Sequence, residues 1–241
     1  MTIASGDSWE LRLGRWQDVL GDVKCDSVIT DPPYSERTHD GFRTSGYRKD
    51  HGLGYRPIDR DYAFDFVRSW ATRCRGWMVV FGDHISSRWF EEAMEDSGRY
   101  TFHPLPIVKI GAPPRLSADG PSSQSEWMIV SRPKEKRFLS WGSLPGWYSM
   151  QTVSHGHGAH GVTGSKSLDF MRAVVRDYSR PGDVIAEPHT GSGTTLLAAR
   201  MEGRRSIGAE MMPEHFEIAR RRLAHLPQST EKQPALFGGD G

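Results

Sequence analysis

The stretch Asp183-Val184-Ile185-Ala186-Glu187-Pro188-His189-Thr190-Gly191-Ser192-Gly193-Thr194-Thr195 constrains the fold more than any other part of this 241-residue chain. A short apolar run, two glycines one residue apart and a helix-forming continuation predict a strand, a tight turn and a helix. Rossmann-like folds use that order to bring backbone close to a nucleotide-like ligand. Glycine removes the Cβ that would block the approach, and the helix start presents free N–H groups. Glu210 follows Gly191 by nineteen residues and ends the next predicted strand. A carboxylate there accepts both hydroxyls of a ribose.

Three ligands compete for this loop. A phosphate-binding P-loop needs Lys before its Ser/Thr, and here Gly193 is followed directly by Thr194. A dinucleotide site wants GxGxxG, and Leu196 stands where the third glycine belongs. S-adenosylmethionine carries ribose hydroxyls and a carboxylate but no phosphate, and it fits best. A tight turn without a ligand stays open for the loop taken alone.

The second constellation is Asp31-Pro32-Pro33-Tyr34, directly after the apolar run Val28-Ile29-Thr30. The exocyclic amino nitrogen of adenine or cytosine is a poor nucleophile because its lone pair is delocalised into the ring. An acceptor on each N–H makes that nitrogen more tetrahedral. Asp31 supplies one acceptor and the Pro32 carbonyl, stiffened by two prolines, supplies another. Tyr34 suits stacking on a base swung out of its helix. A double-proline turn alone is commonly structural; its pairing with the glycine loop is what makes it informative.

Apolar runs at 10–13, 27–30, 77–81, 105–110, 127–131, 184–187 and 206–209 read as strands. Helical spacing appears at 64–75, 86–96, 167–178, 194–202 and 213–226, the last opening on Pro213. The alternation predicts one doubly wound, Rossmann-like α/β domain over residues 1–226. Two insertions refuse regular structure, at about 35–61 and 139–164, and 227–241 reads as a mobile polar tail. Hydrophobic residues at 37% and charged residues at 25% support a packed core. No stretch is apolar enough to span a bilayer, and no apolar leader opens the chain, which predicts a cytoplasmic protein.

The two motifs together resemble the amino-directed DNA methyltransferases. Asp31-Pro32-Pro33-Tyr34 precedes the Glu187–Thr195 segment by about 150 residues, as in their circularly permuted β group. His160-Gly161-Val162-Thr163-Gly164-Ser165-Lys166-Ser167 is similar to the segment whose lysine helps hold the cofactor in that group, with Lys166 in the place of that lysine. The resemblance implies a methyltransferase fold with a seven-stranded, mostly parallel sheet containing one antiparallel strand. It implies S-adenosylmethionine as cofactor, held by Asp31, Ser165, Lys166, Glu187, His189, Gly191, Gly193, Thr194, Thr195 and Glu210. It implies direct in-line transfer to adenine N6 of double-stranded DNA, in a prokaryotic or phage restriction-modification setting, by a monomer or homodimer. The chain departs from the group at Glu187-Pro188-His189, where Asp-Pro-Phe is usual, at Gly14-Arg15 for Gly-Asp, and at Ser167 for Pro.

Cytosine N4 is an open alternative, although it more often goes with Ser at position 31. RNA- or protein-directed transfer is another, and a non-catalytic nucleic-acid-binding module is a third. Cytosine C5 chemistry needs a nucleophilic Pro-Cys pair, and neither Cys25 nor Cys74 follows proline. His155-Gly156-His157-Gly158-Ala159-His160 has no neighbouring Cys, Asp or Glu to complete a shell, so no metal is expected. The net charge of +1 is patterned: six Lys/Arg against three Asp lie between Arg37 and Arg60. Within that insertion Arg43, Tyr47, Arg48, Lys49 and Arg56 mix cations with aromatics as DNA-binding segments do. Trp141 and Trp147 stand where the β group places its target-recognition region. Gln233-Pro234-Ala235-Leu236-Phe237 resembles the peptide that docks on bacterial sliding clamps.

Overall fold

The computed structural model describes residues 1–38, 56–112, 120–135, 137–152 and 164–225. Its elements run β1 (Ile3–Gly6), β2 (Trp9–Leu13), α1 (Trp16–Val19), β3 (Ser27–Thr30), α2 (Arg60–Ala71), β4 (Met78–Gly82) and α3 (Ser86–Asp96). There follow β5 (Arg99–Thr101), β6 (Leu105–Ile110), β7 (Ser125–Pro133), a 3-10 turn (Leu139–Trp141) and β8 (Tyr148–Gln151). The chain then gives α4 (Leu168–Tyr178), β9 (Val184–Glu187), α5 (Thr194–Met201), β10 (Arg205–Glu210) and α6 (Pro213–Ala224).

β3 and β4 are buried from end to end, as strands covered on both faces are. Successive side chains point to opposite faces, so these runs feed two cores at once. Val28, Met78 and Val80 join Trp16, Phe66, Trp70 and Phe90 of α1, α2 and α3. Ile29, Val79, Phe81 and Ile185 join Phe170, Val174, Tyr178 and Ala198 of α4 and α5. α6 packs through Phe216, Ala219 and Leu223 on Leu11 and Leu196. Helices therefore cover both faces of the sheet.

The strand order is β1-β2-β10-β9-β3-β4-β7-β6-β8, with β5 also on β7. β2, β10, β9, β3 and β4 are mutually parallel. After β9 the chain moves to β10 on one side; after β3 it moves to β4 on the other. A crevice opens at such a switch point, beyond the carboxyl ends of the strands. Thr30 and Glu187 end the two strands that flank it. β7 runs antiparallel to β4, β5 and β6, so its first residues, Ser125 and Glu126, lie at that same carboxyl edge.

Among the described residues the expected seven strands are ten. β1 and β5 are pairings of only four and three residues, and β8 lies inside the segment read as a loop at 139–164. β8 gains strand geometry by pairing parallel with β6, a tertiary partner that periodicity does not reveal. The helix read at 64–75 starts four residues earlier because Asp59 Oδ1 accepts the Tyr62 N–H at 2.8 Å and caps it. The insertion at 35–61 is closed at its base by a bridge between Ser35 and Ile58. Arg43, Tyr47, Arg48, Lys49, the histidines at 155, 157 and 160, and the 233–237 peptide lie outside the described residues. Among the described residues no helix is long and apolar enough to cross a membrane.

Asp83, just past β4, ties the strand end to the segment that follows Tyr34. Oδ2 accepts from Ser35 N at 3.0 Å, Ser35 Oγ at 2.6 Å and Thr38 Oγ1 at 2.5 Å. Oδ1 accepts from Ile85 N, Ser86 N and Ser86 Oγ at 3.0, 2.7 and 2.9 Å. Burial would raise this carboxyl, but those donors outweigh it and hold it at about 2. A carboxyl depressed in the folded state stabilises above its unfolded value near ~4 and loses that contribution as pH falls through the folded value. Asp83→Ala is expected to cost about 2–4 kcal/mol at neutral pH, in urea unfolding. The difference from the wild type should shrink between about pH 4 and pH 2. A difference independent of pH in that window would contradict the assignment.

Candidate active site

Asp31 leaves β3 at the crevice and meets a buried ammonium. Lys166 Nζ donates to Asp31 Oδ2 at 2.6 Å and to Tyr34 OH at 2.9 Å, and lies 3.1 Å from Glu126 Oε2. Tyr34 OH donates to the same Glu126 oxygen at 2.9 Å, and Lys109 Nζ donates to Glu126 Oε1 at 3.2 Å. The Lys166 ammonium thus makes two hydrogen bonds and a close ion pair. Its side chain is only 5% exposed and crosses the Phe81 ring at 5.2 Å. Burial would lower the ammonium, but Asp31 and Glu126 outweigh it and keep Lys166 above its ordinary value. Burial would likewise raise Glu126, yet Lys166 and Lys109 hold it at about 2. For Asp31 burial wins, helped by the charge of Glu126, and its carboxyl is raised despite Lys166. Asp31 Oδ1 is buried and has no hydrogen-bond partner.

The glycine turn sits on the other side of the crevice. Gly191 and Gly193 both take positive φ, +54° and +83°. Gly191 has open space where a Cβ would project, whereas a Cβ on Gly193 would meet the Ala219 Cβ of α6 at 3.0 Å. Glu210 accepts from Gly191 N at 2.7 Å and Met212 N at 2.8 Å; burial lifts it to about 6 against those bonds. Arg222 of α6 reaches under the turn to Ser192 O, Ser192 Oγ and Thr194 Oγ1 at 2.5, 2.8 and 3.1 Å. Ser165 Oγ donates to Ser192 Oγ at 2.9 Å, which joins the Lys166 segment to the turn.

Glu187 lies at the bottom of a polar chain. Thr30 Oγ1 donates to Glu187 Oε1 at 2.5 Å, and the His189 N–H donates to the same oxygen at 3.0 Å. With its one proton so used, Thr30 Oγ1 accepts from His189 Nδ1 at 2.9 Å, which leaves Nε2 to accept from Tyr62 OH at 2.5 Å. Trp16 Nε1 donates to Tyr62 OH at 3.0 Å. Burial drives His189 down to about 3, so the ring is neutral, and drives Glu187 up to about 8.

Asp31, Tyr34, Ser165, Lys166, Glu187, His189, Gly191, Gly193, Thr194, Thr195 and Glu210 all border this crevice or its supports, with Pro32 buried beneath. Lys166 sits on Asp31 rather than on the glycine turn. Two of the residues read as DNA-binding lie elsewhere. Trp141 packs against Phe138 and Trp77 at 5.0 and 5.8 Å, with Arg180 3.5 Å over its ring, at the amino ends of the strands. Its ring packs inside an aromatic cluster at the strand ends opposite Asp31. Trp147 is exposed at the amino end of β8. Arg56 is exposed at the returning end of the insertion. Glu126, Lys109, Thr30, Tyr62 and Arg222 carry the site without having been singled out; only Thr30, beside Asp31, bore a local cue.

Comparison with known proteins gives a family and a fold. A family model described as DNA methylase, of the N6/N4 methyltransferases, matches residues 25–221. The Type II methyltransferase M.Cfr9I of Citrobacter freundii is 28% identical over 142 residues, covering 54% of this chain and 47% of its own. The Type II methyltransferase M2.MboI of Moraxella bovis is 22% identical over 231 residues, covering 85% and 82%. The chain spans about half the length of the first curated relatives it matches. In fold it is similar to the M1.HpyAVI–SAM complex, with a TM-score of 0.67 at 20% identity over 89% of this chain and 98% of that one. It is also similar to the cytosine-N4-specific PvuII DNA methyltransferase, with a TM-score of 0.63 at 17% identity over 89% and 86%.

The two glycines are expected to respond differently to substitution. Gly193→Ala adds a close contact with α6 to an unfavourable φ and should cost about 2–3 kcal/mol in chemical denaturation, against about 1 kcal/mol for Gly191→Ala. Equal losses would show that the turn does not depend on close packing against Ala219.

Proposed function

The chain belongs to the N6/N4 DNA methylase family, and we propose that it transfers the methyl group of S-adenosylmethionine to the N6 amino group of an adenine flipped out of double-stranded DNA. One observation carries this reading: Asp31 offers a buried, unpartnered carboxylate oxygen while Lys166 occupies the other. An acceptor left open in a buried position calls for a donor from a ligand, and an amino group supplies one.

The residues around the glycine turn fit the cofactor. Gly191 leaves room for close approach. Glu210 offers a carboxylate to ribose hydroxyls, and Glu187 is a buried acid without a cation among the described residues, suited to an ammonium. When bound, S-adenosylmethionine supplies an electrophilic methyl on a sulfonium. The chain's own part is to prepare the nucleophile. Asp31 Oδ1 accepts one amino N–H and the Pro32 carbonyl accepts the other, so the nitrogen lone pair localises and positive charge developing there is stabilised. Asp31 is also the acceptor at hand for the proton that nitrogen sheds. Tyr34 stacks on the extruded base. β3 and β4 precede β9 and β10 in the chain, the order of the circularly permuted group. Aspartate at position 31 favours adenine, and cytosine N4 is the competing target.

Asp31→Ala is expected to lower transfer from labelled S-adenosylmethionine to double-stranded DNA by about a thousandfold or more. Its cofactor dissociation constant should stay within about threefold by calorimetry. Undiminished transfer by the variant would overturn the role of Asp31. Wild-type protein that labels RNA or protein and leaves DNA unmarked would overturn the substrate.

A further inference from the structure

We infer that Glu126 is a positioning residue for the transfer: it shares the Lys166 ammonium, so that Asp31 stays a strong acceptor for the positive charge that develops at its open oxygen. The inference rests on the methyl transfer proposed above and adds to it a residue 95 positions from Asp31 in the chain.

Lys166 stands between two acids, 2.6 Å from Asp31 Oδ2 and 3.1 Å from Glu126 Oε2. Were Asp31 its only anion, a buried ammonium at that distance would cancel most of the field with which Asp31 stabilises a nitrogen becoming positive. Low dielectric makes the cancellation large. Glu126 gives that ammonium a second carboxylate at 3.1 Å, so Lys166 is shared rather than spent on Asp31 alone, while Lys109 lies on the other Glu126 oxygen at 3.2 Å. Glu126 also accepts from Tyr34 OH at 2.9 Å and so fixes the ring placed for base stacking. It reaches the site because β7 runs against β4, which sets its amino end at the carboxyl edge of the parallel strands. Charged or titratable groups that face Asp31 are Lys166 before α4, Glu126 on β7, Tyr34 on the strip and Glu187 on β9, with Lys109 of β6 acting through Glu126.

Glu126→Gln keeps the shape and removes the charge. With one negative neighbour fewer, Asp31 ionises more easily and is a weaker acceptor for positive charge. The variant is therefore expected to lose about tenfold or more in kcat, with KM for S-adenosylmethionine within about twofold. The acid limb of its kcat–pH profile should move to lower pH. Glu126→Asp keeps the charge and should recover most of kcat and the wild-type acid limb. A purely structural role predicts a lowered Tm and an unmoved acid limb in both variants. Unchanged kcat in Glu126→Gln, or lost kcat with an acid limb that stays or rises, overturns the inference while the wild type goes on methylating DNA. A wild type that methylates no DNA defeats the proposed function itself, and the inference with it.

Discussion

A single ammonium, that of Lys166, is shared by Asp31, Tyr34 and Glu126 inside the carboxyl edge of the sheet. Burying such a charge costs several kcal/mol, and its partners offset that cost only when each is held in place. Every neighbouring element is arranged to do so. β3 delivers Asp31, reversed β7 delivers Glu126, β6 delivers Lys109, and the segment before α4 delivers Lys166. Asp83 secures the chain just past Tyr34 with six hydrogen bonds. Loss of either carboxylate would leave an uncompensated buried charge, so the cluster holds the crevice rigid before any ligand arrives.

A second network makes up the other wall. Glu187, Thr30, His189, Tyr62 and Trp16 form one directional chain of hydrogen bonds from the end of β9 to α1. His189 stands where the family usually has phenylalanine, and it keeps the aromatic contact, with Phe66 at 5.5 Å. Its ring nitrogens add a link to Thr30 and Tyr62 that phenylalanine lacks. His189 therefore packs as an aromatic and also serves as a polar anchor beside Glu187. Arg222 does comparable work beneath the turn, where burial lowers its guanidinium to about 10 and three oxygens accept from it.

The two central strands and both motifs were legible in sequence because each motif is continuous with a fully buried strand. Val28-Ile29-Thr30 runs straight into Asp31, and Val184–Glu187 into the glycine turn. Glu126 was hidden for the opposite reason. It is a lone acid at the start of a strand, and only the antiparallel pairing of β7 with β4 carries it to Asp31. Asp83 and Arg222 likewise act through folds of chain that local pattern does not encode. β8 hid in a segment rich in Gly and Trp, and Trp141 of that segment, read as DNA-binding, packs on Trp77 and Phe138. Aromatic residues in irregular sequence fill cores as readily as they grip ligands.

The account turns on the open Asp31 oxygen receiving an adenine amino group. Mass spectrometry of nucleosides from plasmid DNA, recovered from a host expressing this protein, tests that most directly. The account predicts N6-methyladenine in that DNA. N4-methylcytosine in its place would contradict the adenine assignment, and the absence of both would contradict the transfer itself.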